Sequence, residues 1–177
     1  MNEQVQTELK KILNGRFSTS ESTRANYARG EDTYDPVLSK AVVFPETNEE
    51  VSKILSICND HKIPVVPFGT GTSLEGNVVG NDNGITISLE KMNKVLSVNV
   101  EDFDCRVQAC VTREQLNDYL REDGVFFPID PGANAAIGGM ASTSASGTMA
   151  VKYGTMKTVI SGLTVVLPNG DIINTGS

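Results

Sequence analysis

A strand–helix–strand pattern over residues 41–67 constrains the fold of this chain more than any other feature. Two short apolar runs, Ala41 to Phe44 and Ile63 to Val66, flank a segment that begins with the capping box Thr47-Asn48-Glu49-Glu50. Behind that box an apolar stripe recurs at helical spacing, formed by Val51, Ile54, Leu55 and Cys58. Because parallel strands need a crossover of this length, the pattern predicts a βαβ unit.

A glycine-rich loop without charge follows the second strand of this unit. Residues 67–74 read PFGTGTSL, and the first charged side chain after them is Glu75. Glycine permits positive φ and a close approach of backbone to ligand, so successive N–H groups can point into one concavity. Ligands of open α/β sheets bind at the carboxyl ends of strands. The loop is therefore a candidate phosphate cradle, with an ordinary Gly/Thr turn as the alternative.

Other patterns predict the remaining elements. Val5, Leu9, Ile12 and Leu13 recur at helical spacing and predict a helix that Asn14-Gly15 ends. Strands are predicted at 85–89, 95–100, 105–111 and 159–166, the last leading into a hairpin turn at 168–171. A second capping box, 112–115, predicts a helix that ends by Gly124. The charged segment 29–32 is interpreted as a solvated loop rather than a functional site.

A second segment, residues 129–154, is dense in glycine and in small side chains. It contains five glycines, but apolar side chains are spaced through it, among them Ile137, Met140 and Tyr153. A flexible linker has no need of such residues, so the pattern favours a turn and a short helix against a flat ligand. Gly138-Gly139 is predicted to open that helix and to direct its N–H groups at an anion.

Charge and composition exclude several classes of partner. The 177 residues carry a net charge of −7 and contain no Trp and no cluster of Lys or Arg, which argues against nucleic acid. An anionic cofactor would then be held by local backbone dipoles. No apolar run approaches membrane-spanning length and the polar N-terminus lacks a signal-peptide core. We expect a cytoplasmic protein, or one peripheral to the inner membrane.

The cysteines and the single histidine predict neither a metal site nor a catalytic triad. Cys58, Cys105 and Cys110 are odd in number and lack CxxC spacing, so they are interpreted as reduced and structural. His61 has no second histidine to join it in a zinc site and is interpreted as a surface residue.

Two named nucleotide motifs fail on the spacing of the first loop. Leu74 stands where a dinucleotide fingerprint has its third glycine, and Asn77-Val78 replaces the Lys-Ser/Thr of a Walker A loop. What remains is two glycine-rich elements without charge, far apart in sequence. A ligand with two phosphates and a long flat body would use both, which describes FAD better than a mononucleotide.

Three ordered motifs carry a family resemblance. The pieces PFGTGTSLEG, FFPIDPGANAAIGGMASTSASGTMAVKYGT and ISGLTVVLPNGDII resemble the FAD-binding domain of the FAD-linked oxidases related to vanillyl-alcohol oxidase, the PCMH type. The resemblance runs from about residue 35 to residue 177. It implies an α+β fold of two α/β subdomains, about 35–110 and from about 111, preceded by a helical lead-in over residues 1–34. The second subdomain is expected to be incomplete at its C-terminal end.

The resemblance also implies a set of cofactor-binding residues. Those expected to wrap the pyrophosphate with backbone amides are Pro67, Phe68, Gly69, Thr70, Gly71, Thr72, Ser73 and Leu74. Pro131 and Gly132 are expected beside the isoalloxazine ring. Contacts with the diphosphate, the ribityl chain or the ring are implied for Gly138, Gly139, Ser142, Ser144, Gly147, Tyr153 and Gly154. Val159, Ile160 and Gly162 are expected to flank the adenine.

The activity implied by the resemblance is oxidation of a 2-hydroxy acid to the 2-keto acid. The branch it matches holds cytochrome-type D-lactate dehydrogenases and glycolate oxidase FAD subunits, whose electrons pass to a cytochrome, a quinone or another carrier. Covalent members use His or Cys, and neither occurs between Val111 and Ser177 nor in the first loop, so noncovalent FAD is expected. A non-catalytic flavin- or nucleotide-binding module is the alternative, and a homo-oligomer is compatible with either.

The chain is much shorter than members of this family. The part of the family that carries its catalytic histidine, metal ligands and substrate arginine has no counterpart in residues 1–177. We therefore expect no catalytic residue and no metal in this sequence, which corresponds to the N-terminal part of such an enzyme and is expected to be inactive alone.

Overall fold

The computed structural model describes residues 1–176 as a mixed α/β chain. Its elements in order are α1 (Glu3–Leu13), β1 (Phe17–Ser18), α2 (Glu21–Asn26), β2 (Ala41–Val43), α3 (Asn48–Asp60), β3 (Val65–Phe68), β4 (Ile85–Ser88), β5 (Val95–Asn99), β6 (Asp104–Val107), α4 (Arg113–Leu120), α5 (Ile137–Ser142), α6 (Ala150–Tyr153), α7 (Met156–Val159), β7 (Gly162–Val166) and β8 (Ile172–Gly176). They form two units, one of residues 1–91 with 162–176 and one of residues 92–161.

The predicted βαβ unit forms the sheet of the first unit. The strand order is β1-β2-β4-β3, and β2 and β3 are both parallel to β4, which lies between them. Helices α1 and α3 bury Val5, Leu9, Leu13, Ile54 and Cys58 in one core with the strands. All four residues of β4 are buried because the strand has a neighbour on each side, and its Thr86 hydroxyl pairs with the Ser39 hydroxyl at 2.8 Å.

The first helix contributes Val5, Leu9 and Leu13 to this core. The predicted helix over residues 5–13 is confirmed, and Asn14 ends it in the left-handed region. Since residues 1–91 group with 162–176, the two units divide the chain elsewhere than at the expected boundary near residue 110. The division into a lead-in and two subdomains stays a prediction about the domains of the family.

An ion pair connects the turn after α1 to the start of α3. Arg16 donates through both terminal nitrogens to the Glu50 carboxylate, at 2.7 and 2.5 Å, and also to the Phe44 carbonyl at 2.9 Å. The Thr47 hydroxyl caps α3 as the capping box predicts, accepting from the Glu50 N–H at 3.2 Å. The Glu50 carboxylate accepts from the Glu46 N–H at 2.7 Å. The hydrogen bonds from Arg16 lower the pKa of Glu50, and sequence reasoning missed this pair.

We expect Glu50→Gln to lower the free energy of unfolding at pH 7 by about 1–2 kcal/mol, since the pair is partly exposed. A carboxyl whose folded pKa lies below its unfolded value stabilises the protein above the unfolded pKa, and this contribution is lost as the pH falls below it. The wild type should therefore lose more stability than Glu50→Gln between about pH 5 and pH 3. Urea unfolding at several pH values measures this, with the exposed Glu49→Gln in the same helical turn as control. Equal pH dependence of wild type and Glu50→Gln would contradict it.

The second unit contains a two-stranded antiparallel sheet and four short helices. Strands β5 and β6 pair antiparallel, and β6 ends at Val107 rather than at the predicted Val111. Val111 packs with Leu116 and Leu120 in one cluster. The Thr112 hydroxyl caps α4 by accepting from the Gln115 N–H at 3.2 Å. The Gln115 amide donates to the Asn93 carbonyl at 2.8 Å, so the second capping box is not reciprocal. A second cluster of this unit is built on Ile129, Met140 and Met156.

Three sequence predictions are corrected. The strand predicted at 63–66 lies at Val65–Phe68, because Ile63 donates its N–H to the Cys58 carbonyl after α3. The strand predicted from residue 159 begins at Gly162, since Met156–Val159 is helical. The segment 29–32 is not a freely solvated loop, because Asp32 is buried at 6% exposure. The hairpin turn at 168–171 is confirmed, with Gly170 at φ 92°.

Candidate functional site

The first glycine-rich loop starts at the carboxyl end of β3. Pro67 and Phe68, expected in the loop, are the last two residues of the strand. The Phe68 ring is buried and packs edge-on against Tyr27, with centroids 5.1 Å apart. Residues 69–74, the glycine-rich loop in the rest of the text, therefore leave the sheet from a fixed aromatic anchor at the edge where open α/β sheets bind ligands.

The glycine-rich loop presents a row of backbone N–H groups without partners in the protein. Gly71 adopts φ 73°, a left-handed conformation that favours glycine. The N–H groups of residues 71–74 donate no hydrogen bond within residues 1–176, although Gly71 is buried. Buried backbone donors are almost always paired, so an unpaired N–H at the buried Gly71, followed by three more, makes this loop a candidate anion site.

The polar side chains of the loop are the hydroxyls of Thr70, Thr72 and Ser73, and the loop contains no charged side chain. Thr70 and Thr72 place their hydroxyl oxygens 3.4 Å apart, and the Ser73 hydroxyl donates to the Asn77 amide oxygen. Leu74 is 67% exposed at the end of the loop. Binding of an anion here would depend on backbone dipoles rather than on a lysine or arginine of the loop.

Sequence reasoning missed the segment that lies behind this loop. The Glu31 N–H donates to the Gly71 carbonyl at 2.9 Å, so the carbonyl of the loop's central glycine is fixed from residues 28–37. A Cβ on Gly30 would lie 2.6 Å from that carbonyl oxygen. The only sequence signal was the glycine at position 30, which stands among charged residues in a segment without clear periodicity.

In the second unit, Asp130 organises the turn that carries Pro131 and Gly132. Its carboxylate accepts from the Gly132 N–H at 3.1 Å, and the Arg113 guanidinium lies 3.7 Å from its other oxygen. Pro131 and Gly132 are exposed, and Gly132 adopts φ 91°. The Asp130 carbonyl oxygen lies 1.7 Å from the place of a Cβ on Gly147, so this glycine permits two chain segments to touch.

Helix α5 begins at Ile137, just before the two predicted glycines, and only one of their N–H groups lacks an acceptor. The Gly138 N–H donates to the Ala109 carbonyl at 2.8 Å, so the prediction that both groups point at an anion is wrong for Gly138. Gly139 is exposed, and its N–H has no acceptor in the described part of the chain. A Cβ on Gly138 would lie 2.8 Å from the Ala109 Cβ. The close packing against Ala109 therefore accounts for a glycine at position 138.

The remaining predicted residues of the second unit follow α5. Ser142 donates its hydroxyl to the Gly138 carbonyl at 2.9 Å, and the exposed Ser144 adopts φ 52°. The Tyr153 ring packs edge-on against Phe126, with centroids 5.5 Å apart. Gly154 ends α6 at φ 83°. All of these lie in the same unit as Pro131, Gly132 and Gly139.

The three residues expected near the adenine belong to different elements. Val159 ends α7, Ile160 caps it, and both pack on the cluster of Met140 and Met156 in the second unit. Gly162 starts β7 in the first unit, where it pairs with Gly176. Residues 67–74 and Gly162 thus belong to one unit, and residues 131–160 belong to the other.

The ionisable groups of the described residues add no metal centre. No group of three or more His, Cys, Asp and Glu side chains within residues 1–176 is arranged to hold a metal ion. The three cysteines are free, and burial raises the pKa of Cys58 to about 11. The pKa of Cys105 is also raised, by burial and by Asp104. Neither thiol is activated as a nucleophile.

A comparison with protein families matches more than three quarters of the chain. The model described as an FAD binding domain matches residues 39–176. The mixed α/β fold agrees with this match: alkyldihydroxyacetonephosphate synthase superposes with a TM-score of 0.89 over 100% of this chain and 35% of its own, at 21% identity. The predicted fold class is confirmed.

Curated relatives include two kinds of oxidoreductase. A mitochondrial D-lactate dehydrogenase [cytochrome] from Arabidopsis thaliana is 42% identical over 173 residues, which cover 97% of this chain and 30% of the relative. Glycolate oxidase subunit GlcD from Bacillus subtilis (strain 168) is 33% identical over 162 residues, covering 90% of this chain and 34% of the subunit. The chain therefore spans about a third of the length of these relatives.

None of the helices within residues 1–176 has the length and apolar character needed to cross a membrane. The location of the protein stays a prediction, because the Arabidopsis relative is named as mitochondrial whereas a cytoplasmic protein was expected.

Proposed function

This chain belongs to the family of FAD binding domains, and we propose that it holds FAD noncovalently as part of a dehydrogenase that oxidises D-lactate to the 2-keto acid. The observation that carries the proposal is the row of unpaired N–H groups at residues 71–74, which suits a diphosphate. When bound, FAD supplies a two-electron acceptor for oxidation of the hydroxyl carbon.

The residues of this chain would bind and orient the cofactor. Backbone donors of the glycine-rich loop contact the diphosphate. Pro131 and Gly132, held by the Asp130 carboxylate, lie beside the ring, and Tyr153 and Gly154 contact the ring or its ribityl chain. Held by backbone dipoles, the cofactor binds despite the net charge of −7.

Noncovalent attachment is supported by the lack of a reactive Cys or His near the proposed site. The loop and residues 111–177 contain no Cys or His, and burial raises the pKa of Cys58 and Cys105. A thiol attaches to a flavin as the thiolate, which a raised pKa disfavours. Trichloroacetic acid precipitation should therefore release all of the flavin into the supernatant, and flavin retained in the pellet would contradict this part of the proposal.

D-Lactate is the proposed substrate, and a cytochrome or a quinone is the proposed electron acceptor. Support comes from the 42% identity to a D-lactate dehydrogenase of the cytochrome type over 97% of this chain. Glycolate is the second candidate substrate, supported by the 33% identity to a glycolate oxidase subunit. The choice is testable in a longer protein that contains this chain, by comparing dye reduction with D-lactate, L-lactate and glycolate.

We expect the chain itself to bind one FAD and to be yellow after reconstitution. Addition of FAD followed by gel filtration should leave flavin and protein in one peak, and flavin fluorescence should change on binding. Riboflavin is the control ligand, since it lacks the diphosphate that the loop would hold. A chain that stays colourless with excess FAD would overturn the proposal, and a chain that binds ADP as tightly as FAD would favour a nucleotide-binding module.

A further inference from the structure

Residues 28–37, the supporting segment, lie against the glycine-rich loop and the residues that follow it. The segment contacts residues 71–80 through backbone atoms and through the Tyr34 ring. The Gly80 N–H donates to the Ala28 carbonyl at 2.9 Å, and the Tyr34 ring lies 2.6 Å from the place of a Cβ on Gly76. Such close backbone packing leaves little room for either segment to shift.

Gly30 is the point of closest approach to the loop. A Cβ on Gly30 would lie 2.6 Å from the Gly71 carbonyl oxygen, 2.8 Å from the Ser73 carbonyl oxygen and 2.7 Å from a Val78 methyl group. Two of these atoms are backbone of the loop that carries the unpaired N–H groups. Gly30 does not adopt a left-handed φ, so its backbone conformation is accessible to alanine. An alanine here would be disfavoured only because its Cβ has no space.

Asp32 fixes the shape of the supporting segment. One of its carboxylate oxygens accepts from the Gly30 N–H at 3.1 Å and the other from the Tyr34 N–H at 3.0 Å. The side chain is buried and forms no salt bridge within the described residues, so its oxygens serve these backbone donors. Glu31 lies in the turn between these two donors, and its N–H donates to the Gly71 carbonyl at 2.9 Å.

We propose that Gly30 and Asp32 are positioning residues of the cofactor site, which hold the glycine-rich loop in its diphosphate-binding conformation from behind. Asp32 shapes the turn, and the turn directs the Glu31 N–H to the Gly71 carbonyl. That hydrogen bond orients the peptide that carries the unpaired Thr72 N–H. Neither side chain contacts the ligand. The proposal rests on the proposed function, because it names how the site that binds FAD keeps its shape.

Amide hydrogen exchange without FAD tests this positioning independently of the ligand. In Gly30→Ala and Asp32→Asn, we expect the amides of Glu31 and Gly80, which donate to the Gly71 and Ala28 carbonyls, to exchange about tenfold faster or more, while those of α1 and α3 keep their rates. Asp35→Asn removes an exposed carboxylate from the same segment and should leave the loop unchanged. Exchange of the Glu31 amide at the wild-type rate in Asp32→Asn would overturn the proposal even if Gly30→Ala failed to fold.

FAD titration then separates the positioning role from the proposed function. We expect both variants to bind FAD at least about tenfold more weakly than wild type, with riboflavin affinity changed less, because the loop holds the diphosphate. Wild-type affinity in both variants would overturn the positioning role and leave the proposed function standing. A wild-type chain without FAD affinity would overturn the proposed function, and the hydrogen-exchange result would still decide on the loop.

Discussion

Gly147→Ala should lower the free energy of unfolding of this protein by about 3 kcal/mol or more. The added Cβ would lie 1.7 Å from the Asp130 carbonyl oxygen and 2.4 Å from its carbon. Both atoms belong to the backbone, which cannot rotate away as the end of a flexible side chain would. The backbone around Asp130 or around Gly147 must therefore move. Movement at Asp130 would disturb the core of the second unit, because the adjoining Ile129 lies in it.

Gly139→Ala is the matched control from the same glycine-rich segment. A Cβ on Gly139 would meet nothing within 4 Å, and the residue lies in α5 without a left-handed φ. Alanine is favoured over glycine inside a helix by about 0.5–1 kcal/mol, so this variant should be as stable as wild type or slightly more stable. The two variants add the same methyl group and should change stability in opposite directions.

Urea unfolding followed by far-UV circular dichroism measures both effects. Hydrogen exchange shows which part of the protein is destabilised. The Met156 N–H donates to the Ala145 carbonyl and should lose protection from exchange only in Gly147→Ala. If Gly147→Ala unfolded at the same urea concentration as Gly139→Ala, the close contact with Asp130 would not exist in the protein.

The elements with local signals were predictable from the sequence. The helix with Val5, Leu9 and Leu13 on one face and the capped helix after Thr47 both appear where their periodicity and caps indicate. The strand after Ile63 was displaced by two residues, because apolar residues alone do not tell where a strand leaves the turn before it. The end of α7 at Val159 was missed, since Met156–Val159 is a single short turn of helix.

The contacts that shape the site were less predictable, because they join residues distant in sequence. The glycine-rich loop itself was identified from its glycines and its place after a strand. The supporting contact between Glu31 and Gly71 spans forty residues and uses only backbone atoms, which carry no mark in the sequence. For the same reason, the sequence did not reveal that the Gly138 N–H donates to the Ala109 carbonyl while the Gly139 N–H has no acceptor within residues 1–176. A glycine alone does not reveal whether it makes room for a ligand or for another part of the chain.

Gly71→Ala should weaken FAD binding at least about a hundredfold, equal to about 2.7 kcal/mol of binding free energy. Gly71 adopts φ 73°, and a Cβ there would lie 2.7 Å from the Phe68 ring. That ring is 7% exposed and packs edge-on against Tyr27, so it has little space to yield. The loop must rearrange instead. If residue 71 leaves the left-handed region, the N–H groups that we propose hold the diphosphate point in other directions.

Gly15→Ala separates this effect from the general cost of a left-handed alanine. Gly15 has φ 87° and nothing within 4 Å of its Cβ position, and it lies in the turn after α1 rather than in the loop. Both variants should lose about 1–2 kcal/mol of stability from the backbone conformation. FAD titration by flavin fluorescence should show a loss only for Gly71→Ala, with Gly15→Ala within twofold of wild type. Equal affinities in the two variants would mean that the glycine-rich loop does not hold the diphosphate.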